Sequence, residues 1–196
     1  AAGDGHDTET NNLGIGSAAL GGPVAGGEFN VAIGNNTLDA LTSGDENTAV
    51  GYGALSALQA GSDSTAIGAN ALAVAVNADF NTAVGKDAGK AITSGGNNTI
   101  MGYIAGADMT DDTNNVVIGY RAGNALTDSH NVIIGADAAR VGTTHTGNVI
   151  IGKTAAGNGA FTGNNNVIIG KEAGTEVTSA DANVIIGEDA GGAQTT

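Results

Sequence analysis

Short aliphatic runs closed by glycine, alternating with polar stretches, recur along this chain about every 17 residues. The closing glycines are Gly16, Gly34, Gly51, Gly68, Gly85, Gly102, Gly119, Gly135, Gly152, Gly170 and Gly187, spaced by 18, 17, 17, 17, 17, 17, 16, 17, 18 and 17 residues. With that glycine as position 0, position −1 is always aliphatic, from Ile15 to Ile186, and position +3 is Ala in ten of eleven repeats. Position −4 is Asn in ten of eleven, the exception being Ser64. Position +7 carries Leu41, Leu58, Ile92, Met109, Leu126 and Val177 among its occupants, and length changes fall between +7 and the next Asn. A short, strict period identifies a solenoid in which each repeat is one coil stacked on the last.

Segments such as Asn-Val-Ile-Ile-Gly and Asn-Thr-Ala-Val-Gly fit short strands rich in β-branched residues and closed by a glycine bend. A strand plus a helix per coil takes roughly 20–29 residues, so the period predicts two short strands per coil. A triangular hexapeptide helix would need an aliphatic residue at +5, where Asp39, Ser56, Lys90 and Asn124 stand. The expected fold is therefore all-β: a parallel β-solenoid, or flat two-sided β-roll, of about eleven 17-residue coils. It is expected to span residues 12–191, with an N-terminal segment at 1–11 and a tail at 192–196.

Positions −2 and +4 exchange volume along the chain. The first four repeats pair a small −2 with Leu at +4: Gly14/Leu20, Ala32/Leu38, Ala49/Leu55 and Ala66/Leu72. From the sixth repeat the sizes swap, as in Ile100/Gly106, Val117/Gly123, Ile133/Ala139 and Ile150/Ala156. Close packing implies that both side chains fill one space. Ala83/Gly89, small at both, predicts a slimmer or looser layer. Strand alternation sends −1 and −3 to one face and −2 to the other. Where all three are aliphatic, both faces must be covered. The −2 residues Val117, Ile133, Ile150, Ile168 and Ile185 are thus the expected self-association stripe, covered by further copies of the chain.

Composition narrows the reading. The chain has no Cys, which excludes disulfides and thiol chemistry. Its formal net charge of −14 disfavours nucleic acid and anionic bilayers. No apolar run reaches the ~20 residues of a membrane helix, and the first residues carry no signal-peptide pattern.

The Asn-x-Ala-Ile/Val-Gly-x-x-Ala unit at 30–37, 47–54 and 81–88 resembles the head repeats of trimeric autotransporter adhesins. Stretches such as Asn47-Thr48-Ala49-Val50-Gly51-Tyr52-Gly53-Ala54-Leu55 look closer still to repeats of bacteriophage tail-fibre proteins. The resemblance covers residues 12–191. It implies a homotrimeric, left-handed parallel β-roll in an extracellular, cell-surface or virion fibre that attaches to a surface.

The Asn column (Asn30, Asn47, Asn81, Asn98, Asn115, Asn131, Asn148, Asn166 and Asn183) is expected to form a structural amide ladder at the strand spacing of about 4.8 Å. Tyr52, Tyr103 and Tyr120 share column +1 and are candidates for stacking glycans. Thr42, Thr93, Thr110, Thr127, Thr143 and Thr178 lie at or near +8, a weak signal for an ice- or glycan-binding hydroxyl surface. Asp108, Asp111 and Asp112 sit in a variable loop without the period of calcium-binding rolls. His6, His130 and His145 share no column.

The expectation is a non-enzymatic structural fibre segment of an adhesin, without cofactor, metal, nucleic acid or membrane insertion. A self-assembling filament joined end to end is the alternative. A polysaccharide hydrolase would need paired carboxylates, and no column supplies them.

Overall fold

A computed structural model describes residues 11–141, 146–157, 161–179 and 181–192. The segments expected at 1–11 and 192–196 lie almost wholly outside the described residues. Among the described residues eleven three-residue strands follow one another: β1 (Leu13–Ile15), β2 (Val31–Ile33), β3 (Thr48–Val50), β4 (Thr65–Ile67), β5 (Thr82–Val84), β6 (Thr99–Met101), β7 (Val116–Ile118), β8 (Val132–Ile134), β9 (Val149–Ile151), β10 (Val167–Ile169) and β11 (Val184–Ile186). They form one parallel sheet in chain order. The register never slips: Val116, Val117 and Ile118 pair with Val132, Ile133 and Ile134, and every other coil repeats this match. The protein is an all-β parallel solenoid.

Among the described residues each coil has one strand, not the two that the period predicts. The return path from +1 to +6 is an arc of turns in which alternate residues take left-handed backbone angles, as at Asn36 (φ 55) and Leu38 (φ 49), or Asn70 (φ 57) and Leu72 (φ 51). Such alternation cannot produce a pleated strand, yet it aligns peptide groups with those of the adjoining coils. The amide of Asn36 donates to the carbonyl of Ser17 at 2.9 Å, that of Leu38 to Ala54 at 3.2 Å and that of Ala40 to Ser56 at 3.2 Å. Main-chain bonding between coils therefore continues where the sheet stops, and the buried peptide groups of the arc stay paired.

Glycine at position 0 is obligatory. At Gly119 φ is +138, and a Cβ there would lie 2.5 Å from the carbonyl oxygen of Gly135 in the next coil. Backbone angle and coil contact both exclude a side chain.

Columns −2, +3, +4 and +7 converge on a single interior. Val117, Ile133, Ile150 and Ile168 are fully buried within their own chain, and Ile185 packs partly buried against the same cluster. This corrects the expected self-association stripe: column −2 lines the coil's inside, and columns −1 and −3 face out. A common space for −2 and +4 is what the structure shows. A Cβ added to Gly123 would meet Val117 at 3.1 Å and Ile133 at 3.3 Å, and one on Gly174 would meet Ile168 at 3.1 Å. The Ala83/Gly89 layer is not loose at Gly89. The ends of Ile100 and Leu72, from the adjoining coils, and of Ile92 lean to within 2.9–3.1 Å of where a Gly89 Cβ would be.

The asparagine column stitches the coils. The backbone amide of Asn47 donates to Asn30 Oδ1 at 2.9 Å, and Asn47 Nδ2 donates to the same oxygen at 3.1 Å. The second Nδ2 proton reaches the carbonyl of Gly61 at 2.9 Å and closes its own coil. The pattern repeats at Asn98, through Asn81 Oδ1 and the carbonyl of Asp112. One side chain thus satisfies a backbone donor above it and a backbone acceptor across the coil. A second ladder, which the sequence reading missed, runs at position −6. There Asp45, Asp79 and Asp181 accept the amides of Glu28, Ser62 and Asn164 at 2.6–2.8 Å, and Ser129 accepts that of Thr113 at 2.9 Å.

Ser64 is the weak rung. Its single hydroxyl proton faces two carbonyls, Ser62 and Ala78, each at 3.3 Å. Ser64→Asn should therefore raise stability by about 1 kcal/mol, and Asn98→Ala should lower it by about 3 kcal/mol by orphaning buried backbone groups. Urea unfolding of both variants measures the two shifts, which must have opposite signs.

Candidate functional site

The outward side of the sheet is formed by positions −3 and −1 of every strand. All of them are Val, Ile, Leu, Met or Thr, and no strand contains a charged residue. Between the two end strands most are half-buried by their neighbours along the column, while Ile67, Met101, Thr82 and Thr99 are exposed. The face is about 50 Å long at the ~4.8 Å strand spacing and about 10 Å wide, roughly 500 Å² in plan. That is near the upper end of the apolar patches monomers expose. Its two halves differ: column −3 is Thr48, Thr65, Thr82 and Thr99 from β3 to β6, and Val116, Val132, Val149, Val167 and Val184 from β7 to β11.

The three tyrosines project from the arc just past the glycine bend, but they are not equivalent. Tyr103 and Tyr120 stack on each other, with ring centroids 5.7 Å apart and planes inclined by 15°. Lys86 Nζ lies 5.9 Å from the Tyr103 ring centroid and the Arg121 guanidinium 5.7 Å from that of Tyr120. Cations therefore flank both members of the pair. Arg121 also approaches Asp137 at 3.5 Å, and Arg140 meets the same carboxylate at 3.6 Å.

Tyr52 stands apart from this cluster, 59% exposed, with Ala69 next in its column. Beside it a shallow hollow of about 480 Å³ is lined by Asn36, Asp39, Gly53, Ser56, Ala57 and Asn70. Burial pushes the Asp39 carboxyl above its ordinary range. A second hollow of about 460 Å³ shares the Asn70 wall and continues past Val74 and Lys90.

Several of the other sequence candidates are engaged within the coil stack or its loops. The hydroxyls of Thr42 and Thr93 donate to the carbonyls of Gln59 and Thr110 in the next coil, at 2.8 and 3.2 Å. They serve the coil stack instead of presenting a hydroxyl lattice. Thr143, His6 and His145 lie outside the described residues. Asp112 Oδ2 accepts the amide of Thr110 at 3.0 Å, and Asp111 Oδ1 accepts the Thr110 hydroxyl at 3.1 Å. Among the described residues no three acidic or histidine side chains are placed to hold a metal. No family model, curated protein or solved structure matches this chain.

Asp112 carries a pH signature. Burial, with Asp111 and Asp128 nearby, raises its pKa above the ordinary 3.8 against the opposing Thr110 hydrogen bond. The folded state then holds that proton more tightly than the unfolded chain does. The carboxyl's contribution to stability is favourable at low pH and falls as pH rises through its ordinary range to the raised folded value. Asp112→Asn keeps an oxygen for the Thr110 amide and removes this penalty. Its melting temperature should exceed the parent's near pH 7 and converge on it at acid pH, measured by circular dichroism across the range.

Proposed function

We propose that this chain is a non-enzymatic structural rod, a segment of an extracellular or virion fibre, in which three parallel copies associate through the outward strand face. The observation that carries this reading is the distribution of charge. The chain bears 20 acidic residues against 6 basic ones, yet none lies in any strand. Rods of net charge −14 repel one another, and least where this neutral face meets its like and the charges stay farthest apart. Apolar contact there would remove a long aliphatic surface from water.

The asymmetry of the face favours parallel copies. Side by side in register, the threonines of β3–β6 meet threonines and can share hydroxyl bonds, while the Val/Ile half packs against its like. Antiparallel copies would set Thr48 and Thr65 against the valines of β9 and β8 and leave hydroxyls unpaired in a dry seam, at a cost. Rotational symmetry about an axis along the rod meets this condition. The repeat's resemblance to trimeric fibre proteins supplies the number three. A rod with coil-to-coil hydrogen bonds along its whole length suits a fibre shaft that holds a surface-attaching element away from its base.

End-to-end joining is the second reading. It is favoured by the uniform parallel order of the sheet, since a strand of a second copy can pair in the register each coil already uses.

Adjacent residues separate inside from outside. Ile151→Asp places a charge on the outward face and should reduce the particle from three times the 18.8 kDa chain mass to one, with the solenoid retained. Ile150→Asp places the same charge in the coil interior and should unfold the chain. Light scattering and circular dichroism read the two outcomes. A parent that is monomeric when dilute, or an Ile151→Asp trimer, overturns the lateral assembly. Filaments that persist in Ile151→Asp support the end-to-end joint instead.

A further inference from the structure

We propose that the hollow beside Tyr52 is a binding site for the ring of a neutral saccharide. The site starts from a missing side chain. At position +2 every coil but this one carries a side chain, from Ala18, Asn36 and Asn70 to Asp189, all with positive φ. Gly53, at φ +63, has the same backbone as Asn36 (φ 55) and Asn70 (φ 57). Glycine is therefore not needed there for conformation. A Cβ at Gly53 would meet only Asn70 Oδ1, at 3.0 Å, and otherwise open space. The absence of that side chain is what opens the hollow.

The groups around the gap match a sugar's mixed surface. Tyr52 offers an aromatic face for the apolar C–H side of a pyranose, because its column neighbour Ala69 is too small to cover it. The stacked pair Tyr103 and Tyr120 lacks this opening, being flanked by Lys86 and Arg121. Asn70 Nδ2 donates to Asp87 Oδ1 at 3.2 Å, which turns the Asn70 carbonyl oxygen toward the gap as an acceptor for a hydroxyl. Asn36 adds a donor and acceptor on the opposite side, and the Asp39 carboxylate accepts from a pair of adjacent hydroxyls. Ser56 donates its proton to the Ala73 carbonyl at 3.1 Å, leaving its oxygen as an acceptor. Acceptors outnumber donors, so the ligand must be rich in hydroxyl donors. Asp39, on a chain of net charge −14, selects against carboxylated or sulfated sugars. The hollow is open and shallow, as suits one ring held at millimolar affinity and strengthened by repetition along a multivalent fibre.

The site lies on the arc, off the strand face, and its test is separable from that of lateral assembly. The 196-residue chain is titrated with glucose, galactose, mannose, fucose and N-acetylglucosamine, and with N-acetylneuraminic acid as the anionic comparison, while the Tyr52 ring and Asn70 side-chain amide resonances are followed by NMR. At least one neutral sugar should shift them saturably. Tyr52→Ala and Gly53→Asn should each weaken that binding by about tenfold or more. Gly53→Asn makes the asparagine column continuous from Asn36 to Asn70 and should leave melting temperature and particle mass unchanged, so its loss of binding reports the filled hollow alone. No saturable shift with any neutral sugar, binding that survives Gly53→Asn, or binding confined to the anionic sugar overturns the proposal. None of these outcomes alters the particle mass that tests the fibre reading.

Discussion

Everything in this molecule depends on satisfying backbone hydrogen bonds between coils whose strands are only three residues long. A strand that short leaves most of each coil outside any regular ladder, and buried peptide groups without partners are costly. Two devices meet the demand. The arc alternates left- and right-handed residues, so that its amides and carbonyls point along the rod toward adjoining coils, as Leu38 does toward Ala54 and Asn36 toward Ser17. Where the chain turns into the strand, the Asn side chain supplies the bonds that the backbone cannot reach. Asn30, Asn47, Asn81 and Asn98 are fully or almost fully buried, an environment in which an amide persists only when its donors and acceptor are paired.

The interior is governed by volume, and the two halves of the rod fill it differently. In the N-terminal coils Leu38, Leu55 and Leu72 occupy left-handed positions at φ 49–51, with Ala at −2. A non-glycine residue in that conformation costs about 1–2 kcal/mol, while burying a leucine side chain gains about 1.5–3 kcal/mol. Packing wins, with little margin. In the C-terminal coils the volume sits at −2, on extended backbone that suits Ile150 and Ile168, and the left-handed +4 position takes Ala156 or Gly174. Where Gly174 stands at +4 the left-handed backbone carries no Cβ penalty, while Ala156 still bears it. Near the crossover, at Gly89, side chains from adjoining coils close the layer. That response follows from close packing across coils, and a coil considered in isolation would not show it.

The period, the parallel all-β class and the shared space of −2 and +4 were all legible in the residues, because each rests on size or spacing. The single strand per coil was not. Its signal was the Asn, Asp and Gly enrichment at +2, in Asn36, Gly53, Asn70, Asp87 and Asp137, but Ile104, Arg121 and the leucines at +4 blur it. The sidedness of −2 was hidden for another reason. In Val116-Val117-Ile118 both faces are aliphatic, and hydrophobicity alone cannot say which points inward. The exchange with +4 held the answer, since a side chain trading volume with an arc residue must lie inside the coil. The −6 ladder escaped because Asp45, Ser62, Asp79, Ser129 and Asn164 share an acceptor oxygen, not a residue type. The Tyr52 hollow was half visible: the aromatic could be read, but the gap at Gly53 acquires meaning only beside its filled neighbours.

The exterior divides by the same geometry that builds the interior. In the strands, pleating sends alternate residues out at fixed spacing, so the outward face is flat, regular and uncharged. On the arc, left-handed residues splay their side chains, and nearly every charge of the described residues is carried on the arc or the outer loop. A flat neutral face can match an identical face over its whole length, because register is common to every copy. An irregular polar surface cannot match itself that way, but it can hold a small ligand in a gap between side chains. Lateral assembly and ligand contact therefore belong on different sides of the coil, and the Gly bend at position 0 is the boundary between them.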